Sequence, residues 1–248
     1  MIEKEKYIQF EDLNKYDNII HFHTKKPFNF NYKKIDRKII NSEYEELEKI
    51  IGNKFSKIIK PLQMHTNIVK VVDENNIDDE FENVDGLITN LKGVALVTSL
   101  ADCQGILLFD PVKNVIGNVH SGWKGTVNKI VENAVKLMKE RFNCDPQNIK
   151  AYISPSILKE CFEVDEDVKD EFVNNFSDIN ISKYIEKKNN KYYIDTVSIN
   201  KEVMNKNGIL NKNIICSNIC TKCNSDKYHS YRNDKITDGR NIAFIMIK

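Results

Sequence analysis

Two apolar runs joined by a short polar turn constrain the fold of this chain most strongly. The runs cover residues 105–110 and 115–120, and only the segment 110–114 connects them. Because a parallel crossover needs a dozen or more residues, this connection predicts an antiparallel hairpin. At about 3.3 Å per residue, the second strand returns His120 to the start of the first strand, close to Cys103. A thiol and an imidazole are therefore predicted to meet at one end of the hairpin.

Short strands alternate with a few helices along the rest of the chain. This pattern predicts a fold of mixed α and β structure, α/β or α+β, with a mixed sheet faced by helices. A capping box of Ser42 with Glu45 predicts a helix at about 42–56, and one apolar face predicts the longest helix at 126–142. Further helices are expected near 165–176 and 197–207, and further strands at 7–10, 19–23, 58–61, 68–72, 94–100, 149–153, 192–195, 213–216 and 241–247. No segment resembles a linker, a repeat or a low-complexity region, so residues 1–248 are predicted to form one domain.

The composition argues against several classes of protein. A net charge of +1 is unlike that of a broad nucleic-acid-binding surface, and no apolar run approaches the roughly 18 residues that a membrane span needs. The charged start has no apolar signal region, so a cytoplasmic location is expected. Six cysteines in 248 residues are too few for a disulfide scaffold, and we interpret them as thiols, ligands or buried small residues. These features do not specify an oligomeric state.

Cys103, His120 and His65 form a candidate metal site. His65 directly precedes the predicted strand 68–72, and a neighbouring position in the sheet would add its imidazole to the other two side chains. A Cys/His/His set suits zinc and leaves a fourth position for water or substrate, as in catalytic sites. The spacing matches no short metal signature, so packing of the cysteine and solvation of the histidines stay open as alternatives.

Charged residues close to this group are candidates for binding phosphate and substrate. The stretch 122–125, with Lys124, is expected to lead straight into the long helix and to present free N–H groups to an anion; a plain tight turn is the alternative. Arg232 and Arg240 are candidates for phosphate or ribose, or else form surface salt bridges. Asp102 adjoins the thiol and is a candidate to orient a ligand imidazole or to act as a base.

Several motifs in order carry a resemblance to a known family. They are QMHTNIVKVV, VDGLIT, TSLADCQGILLFDP, VHSGWKGT, ISPSILKECFEV and CTKCNSDKYHSYRND followed by DGR. From about residue 60 to its end the chain resembles the bacterial YfiH-like proteins, also labelled laccase-domain or polyphenol-oxidase proteins. The resemblance implies a layered α/β/β/α sandwich and a zinc held by His65, Cys103 and His120. It also implies phosphorolysis of purine nucleosides, with adenosine deamination and methylthioadenosine phosphorolysis as related activities.

Three positions depart from the pattern of that family. Lys124 stands where the family commonly has arginine, Thr66 where it has glycine, and Ser154-Pro155-Ser156 where it has Gly-Pro-Ala. Lysine keeps the positive charge but lacks the bidentate fork of arginine. The geometry of phosphate binding at this position is therefore left open by the sequence.

Other metal chemistries fit these residues less well. A multicopper oxidase needs many imidazoles, whereas this chain has five histidines, so zinc is favoured over copper. No histidine is followed two residues later by glutamate, so the HxE and PCxxC signature of nucleobase deaminases is absent. Cys216, Cys220 and Cys223 have the spacing of an iron–sulfur loop of radical-SAM enzymes, but the 25 residues that follow cannot form the barrel of such an enzyme.

The remaining cysteines and histidines are interpreted as structural. Cys220 and Cys223 are expected to shape the loop that carries Tyr231 and Arg232. Packing roles are expected for Cys144, Cys161 and Cys216. Surface or packing roles are expected for His21 and His23, with metal binding from one face of a strand as the alternative.

These observations predict a zinc-dependent enzyme whose partners are a purine nucleoside and phosphate, with neither nucleic acid nor a membrane involved. In the predicted reaction, phosphate displaces the purine at the anomeric carbon of ribose, with Cys103, Asp102, Lys124 and Arg232 as the catalytic candidates. Adenosine deamination is a related candidate activity. A zinc amide hydrolase acting on peptidoglycan precursors and a non-catalytic metal-binding protein are the alternatives.

Overall fold

Two six-stranded mixed sheets form the centre of the computed structural model, which describes residues 1–234 and 239–248. The strands are β1 (Ile2–Glu3), β2 (Tyr7–Gln9), β3 (Ile19–Thr24), β4 (Lys57–Ile59), β5 (Val69–Val71), β6 (Gly86–Thr89), β7 (Val94–Leu100), β8 (Gln104–Asp110), β9 (Val115–Ser121), β10 (Lys150–Ile153), β11 (Glu163–Val164), β12 (Ile185–Lys188), β13 (Lys191–Ile194), β14 (Ile214–Cys216) and β15 (Asn241–Ile247). The first sheet has the order β1-β2-β3-β15-β7-β4 and the second β14-β10-β8-β9-β6-β5; strands β11-β13-β12 form a small antiparallel sheet.

Six α-helices accompany the sheets in the described part of the chain. They are α1 (Arg37–Ile51), α2 (Trp123–Val127), α3 (Ile130–Phe142), α4 (Glu166–Asn175), α5 (Thr196–Lys206) and α6 (Tyr231–Asp234). Apolar side chains of α1 pack on the outer face of the first sheet, and those of α3 and α5 pack on the outer face of the second.

Alternation along the central strands supplies all three apolar layers of the fold. Buried side chains between the two sheets are Leu87, Leu96, Leu100, Leu107, Phe109, Ile116, Ile245 and Ile247. The intervening residues of the same strands face the helices, as Val97 does toward α1 and Leu108 toward α3. The predicted α/β/β/α sandwich with mixed sheets is confirmed.

The predicted hairpin is confirmed in its register, and it ends at the candidate site. Strands β8 and β9 pair antiparallel, with Gly105 opposite His120. On β9 the side chain of Asn118 shares the inter-sheet face with His120. Its amide donates to the carbonyls of Leu96 and Ala243 in the other sheet, both at 2.8 Å. This buried link fixes the two sheets against each other close to the candidate site.

The first predicted helix starts earlier than the sequence indicated. Helix α1 begins at Arg37 because the carboxylate of Asp36 accepts a hydrogen bond from Lys38 N at 2.7 Å and so caps the helix. Ser42 lies inside the helix, where its hydroxyl donates to the carbonyl of Ile39. The predicted capping box is therefore wrong, although the helix itself exists.

The predicted helix over 126–142 is interrupted near its start. Lys129 has a φ of 54°, in the left-handed region, and it separates the five-residue helix α2 from α3. The glycine-flanked stretch 122–125 consequently leads into α2 and not into the long helix. The prediction that this stretch leads straight into the long helix is therefore wrong. Within the two described ranges, no helix is both long enough and apolar enough to cross a bilayer.

Candidate metal centre

Three chain segments bring His65, Cys103 and His120 together at the end of the inter-sheet layer. His65 comes from the turn before β5, Cys103 from the junction of β7 and β8, and His120 from β9. One ligand atom from each residue lies within 4.8 Å of those of the other two, and Cys103 Sγ is 3.9 Å from His65 Nε2. His120 is buried, Cys103 is half-buried and His65 is exposed. The group is therefore open to solvent on the His65 side.

The donor set fits a soft or borderline divalent ion. Typical Zn–S and Zn–N bonds of about 2.3 and 2.0–2.1 Å place a sulfur and a nitrogen about 3.6 Å apart around a tetrahedral ion. The separation of 3.9 Å between Cys103 Sγ and His65 Nε2 is close to that value. Two imidazoles and one thiolate leave a fourth position for an exogenous group. His65, Cys103 and His120 are thus arranged so that they could hold a metal ion with one position open, and we call them the metal-binding group.

Asp85 is the buried carboxylate that organises this group. Its Oδ1 lies 2.7 Å from His120 Nδ1, which leaves Nε2 of that ring for a metal. The same carboxylate accepts hydrogen bonds from the backbone N–H groups of Met64, His65 and Thr66, at 3.2, 3.1 and 2.7 Å, and from the Thr66 hydroxyl at 2.8 Å. One side chain therefore orients one ligand directly and fixes the turn that carries another.

Charges within the group favour the thiolate of Cys103, the protonated imidazole of His120 and the carboxylate of Asp85. Burial alone would raise the pKa of the Cys103 thiol, but the charge of His120 and hydrogen bonds from His120 and His65 lower that pKa to about 6. Burial opposes protonation of His120, yet the negative Cys103 and Asp85 raise its pKa to about 9. Burial of Asp85 is outweighed by its bonds to His120 and Thr66, which lower its pKa to about 2. A buried cation, whether proton or metal, is stabilised between two negative groups.

The backbone around the group is tightly constrained. A Cβ atom on Gly122 would lie 2.7 Å from His65 Cδ2 and 3.2 Å from Cys103 Sγ, so only glycine permits this close approach. His65 and Asp102 have φ values of 60° and 81°, a region that costs energy for residues other than glycine. Such positions persist where surrounding hydrogen bonds hold them, as Asp85 holds the turn at His65.

The carboxylate of Asp102 does not contact the ligand imidazoles, which corrects one of the two roles predicted for it. One of its oxygens accepts a hydrogen bond from Thr221 Oγ1 and the other from Arg232 N, each at 2.6 Å. Asp85 orients the imidazole instead. Asp102, which directly precedes Cys103, therefore holds the loop at Thr221 and the helix α6.

Lys124 and Arg232 have different environments. Lys124 is exposed, and its ammonium lies 5.6 Å from the centre of the Trp123 ring. No described carboxylate lies within salt-bridge distance of it, although the turn that carries it packs beside His65 and Cys103 through Gly122. Arg232 Nη1 donates to the carbonyls of Glu163 and Cys161, at 2.8 and 3.3 Å. Arg240 donates to the carbonyl of Gly239, next to residues 235–238, which lie outside the described part of the chain.

The other histidines lie away from the metal-binding group. His21 and His23 are buried in β3, where burial lowers the pKa of each to about 3, and His21 Nε2 accepts a hydrogen bond from Phe10 N. His229 Nε2 lies 2.9 Å from the carbonyl of Phe28. The packing interpretation of His21 and His23 is confirmed, and so is that of the buried Cys144.

Sequence reasoning missed Asp85 and a polar network behind the site. The amide of Asn200 on α5 donates to Gln104, Ser121 and Thr126, at 3.0 to 3.1 Å, and so ties the ends of β8 and β9 to α2. The available signal for Asp85 was a lone acidic residue at the start of the apolar run VDGLIT. A carboxylate in such a run is buried only when it has specific partners.

We expect Asp85→Asn to weaken metal binding about 10- to 100-fold, because the amide no longer stabilises a correctly oriented His120. The change keeps the volume but removes the charge that the turn at Met64–Thr66 and the imidazole share. Competition titration with a chromophoric chelator measures the affinity. Asp78→Asn is a control on an exposed carboxylate; equal affinities of the wild type and Asp85→Asn would contradict the role given to Asp85.

Sequence comparison assigns the chain to a known family. Residues 23–248 match the family described as multi-copper polyphenol oxidoreductase laccase. The chain belongs to that family. A protein named purine nucleoside phosphorylase from Borreliella burgdorferi is 33% identical over 245 residues, which are 98% of this chain and 97% of that protein.

One further relative supports the same assignment, and one solved structure shows the same fold. Adenosine deaminase RL5, from an unknown prokaryotic organism, is 31% identical over 205 residues, covering 80% of this chain and 78% of that protein. The crystal structure of the Bacillus licheniformis hypothetical protein YfiH has a TM-score of 0.90 at 23% identity, over 99% of this chain and 98% of that one. This chain thus has the same fold as that YfiH protein.

Proposed function

We propose that this laccase-domain protein is a zinc-dependent purine nucleoside phosphorylase. The observation that carries the proposal is the open His65, Cys103 and His120 group, oriented by the buried Asp85. The name of the Borreliella burgdorferi relative, which matches nearly the whole chain, supports the choice of reaction. The substrates would be adenosine or inosine with phosphate, and the products a free base and ribose 1-phosphate.

Zinc is the metal that we propose for the group. Two imidazoles and one thiolate match its preferences, and the other three histidines lie elsewhere, so the many imidazoles of a multicopper oxidase are lacking among the described residues. When bound, the ion would supply Lewis acidity toward a group at its open position. The chain's own part is to orient the three ligands, which Asp85 supports through its contact with His120 Nδ1.

Lys124 is our candidate for attracting phosphate. Its exposed ammonium has no carboxylate partner among the described residues, and its turn contacts two metal ligands through Gly122. Arg232 and Asp102 would position this region, because the backbone N–H of Arg232 donates to the carboxylate of Asp102, which directly precedes Cys103. Met64, which is exposed next to His65, offers an apolar surface for a purine.

Adenosine deamination is a second candidate, favoured by the name of the RL5 relative. It would use the same three ligands with water in place of phosphate. The two reactions differ in their dependence on phosphate, because deamination consumes only water. The six unbonded cysteines fit a reducing compartment, and we propose that the protein works in the cytoplasm.

The proposed phosphorolysis is tested by withholding phosphate. We expect release of hypoxanthine from inosine to require phosphate, and Lys124→Ala to raise the KM for phosphate about tenfold or more while leaving that for inosine nearly unchanged. A charge-assisted contact acts on the anion and not on the nucleoside. Lys136→Ala, on the exposed face of α3, is the matched control. Base release that is independent of phosphate would reject phosphorolysis, and equal changes in both KM values would reject the role of Lys124.

A further inference from the structure

A second group of thiols lies outside the metal-binding group described above. Cys161 ends a short 3-10 turn after β10, and Cys220 and Cys223 belong to the loop between β14 and α6. The three Sγ atoms lie within 4.8 Å of one another, and the Sγ atoms of Cys161 and Cys223 are 3.3 Å apart. Cys220 is buried, Cys161 is half-buried and Cys223 is exposed. The group therefore reaches from the core at Cys220 to the solvent at Cys223.

The two chain segments that supply these thiols are fixed by backbone hydrogen bonds. The backbones of Cys220 and Ser156 pair as an isolated parallel β-bridge, and Thr221 N donates to the carbonyl of Ser156 at 3.0 Å. Asn224 closes the loop, because its backbone N–H and its amide both donate to the carbonyl of Cys220, at 3.1 and 2.8 Å. The spacing of Cys220 and Cys223 places both thiols on this one turn, as in zinc sites built from Cys-x2-Cys.

The surroundings of Cys220 stabilise a thiolate. Burial raises the pKa of its thiol, but hydrogen bonds from the backbone N–H groups of Leu158 and Cys223, and from the other two thiols, lower that pKa below its ordinary value. The same proximity has the opposite effect on Cys161, whose pKa burial and its neighbours raise to about 12. A cation held between the three sulfurs would stabilise their ionised form.

A packing role explains this group poorly. Cys223 is exposed and Cys161 only half-buried, so two of the three thiols gain little from the core. Cys216, which completes the iron–sulfur-like spacing in the sequence, is not a member of the group. The arrangement joins two residues of one turn to a third that is distant in the sequence, as metal-binding side chains commonly are.

We propose that Cys161, Cys220 and Cys223 bind a second Zn²⁺ ion, separate from the one at His65, Cys103 and His120. Three thiolates are ligands that zinc prefers, and the exposed side at Cys223 leaves a fourth position to a water molecule. Each thiol that binds the ion releases its proton to solvent. The ion would connect the loop at Thr221 to the segment at Cys161. Thr221 donates to Asp102, and the carbonyl of Cys161 accepts from Arg232.

The experiment measures zinc per chain after purification under reducing conditions and dialysis against a weak chelator. We expect about two equivalents in the wild type and about one in Cys223→Ser, whose exposed position makes it tolerant of substitution. Cys216→Ser, a half-buried cysteine outside both groups, is the matched control and should keep both ions. In Cys103→Ala loaded with Co²⁺, intense thiolate-to-cobalt charge-transfer bands should persist, and they should disappear when Cys223→Ser is added.

Two results would overturn the proposal. One is a zinc content that is the same in the wild type and in Cys223→Ser, together with no thiolate-to-cobalt bands in Cys103→Ala. The other is a Cys161–Cys223 disulfide in the freshly purified chain, seen as two thiols that resist alkylation until a reductant is added, because a disulfide cannot supply these two ligands.

Discussion

Replacing Cys103 with alanine should remove about one zinc per chain and lower base release from inosine about 10³-fold or more. The thiolate is one of the three ligands that we propose, and the lost Lewis acid would be worth several kcal/mol at about 1.4 kcal/mol for each tenfold change. Metal analysis and steady-state assays measure both effects. Cys216→Ala should change neither quantity, since that residue lies outside the group. A Cys103→Ala protein with full zinc content and full activity would contradict the ligand assignment.

His120→Ala should lose the same ion but also destabilise the fold. Removing the imidazole leaves the buried Asp85 carboxylate without its charged partner, and breaking such a pair costs about 3–5 kcal/mol. Urea unfolding compares its stability with that of Cys103→Ala. The two variants thus separate loss of metal from loss of structure.

Gly122→Ala should weaken metal binding strongly with little change in stability. The new methyl group would lie 2.7 Å from His65 Cδ2, so the imidazole must move. Because His65 is exposed, its ring can swing toward solvent at a cost of less than about 1 kcal/mol, but it then leaves the ligand position. We expect metal affinity to fall about 100-fold, as measured by chelator competition.

Gly125→Ala is the matched control for this substitution. Its methyl group would meet its nearest neighbours at 3.4 to 3.6 Å, which is ordinary contact in the same turn. Unaltered affinity in Gly122→Ala, or an equal loss in both variants, would show that the close approach of Gly122 does not determine the position of His65.

The sequence predicted the hairpin and the meeting of Cys103 with His120 because these features depend on local chain length. The pairing of Gly105 with His120 follows from the short connection between two strands. The sequence predicted only that His65 lies near Cys103 and His120. Its exact position depends on a hydrogen bond to Asp85, twenty residues away. The ligand roles themselves stay predictions until metal is measured.

The errors have a common physical origin in competing local signals. Asp36 and Ser42 both suit a helix start, and the structure uses the first one. The apolar face of 126–142 continues through Lys129, so periodicity could not show that the backbone turns left-handed there. Asp85 was missed because its partners come from other segments of the chain. The organisation of residues 1–248 as one domain also stays a prediction.

The central claim is tested most directly by identifying the sugar product with ³¹P NMR. Zinc-loaded protein is incubated with inosine and phosphate, and the phosphorus resonances are compared with those of authentic ribose 1-phosphate. We predict that ribose 1-phosphate accumulates in step with hypoxanthine, and that both are absent with Cys103→Ala. Failure to release any base at saturating phosphate from inosine or adenosine would contradict phosphorolysis, and it would favour the alternative of zinc-dependent amide hydrolysis.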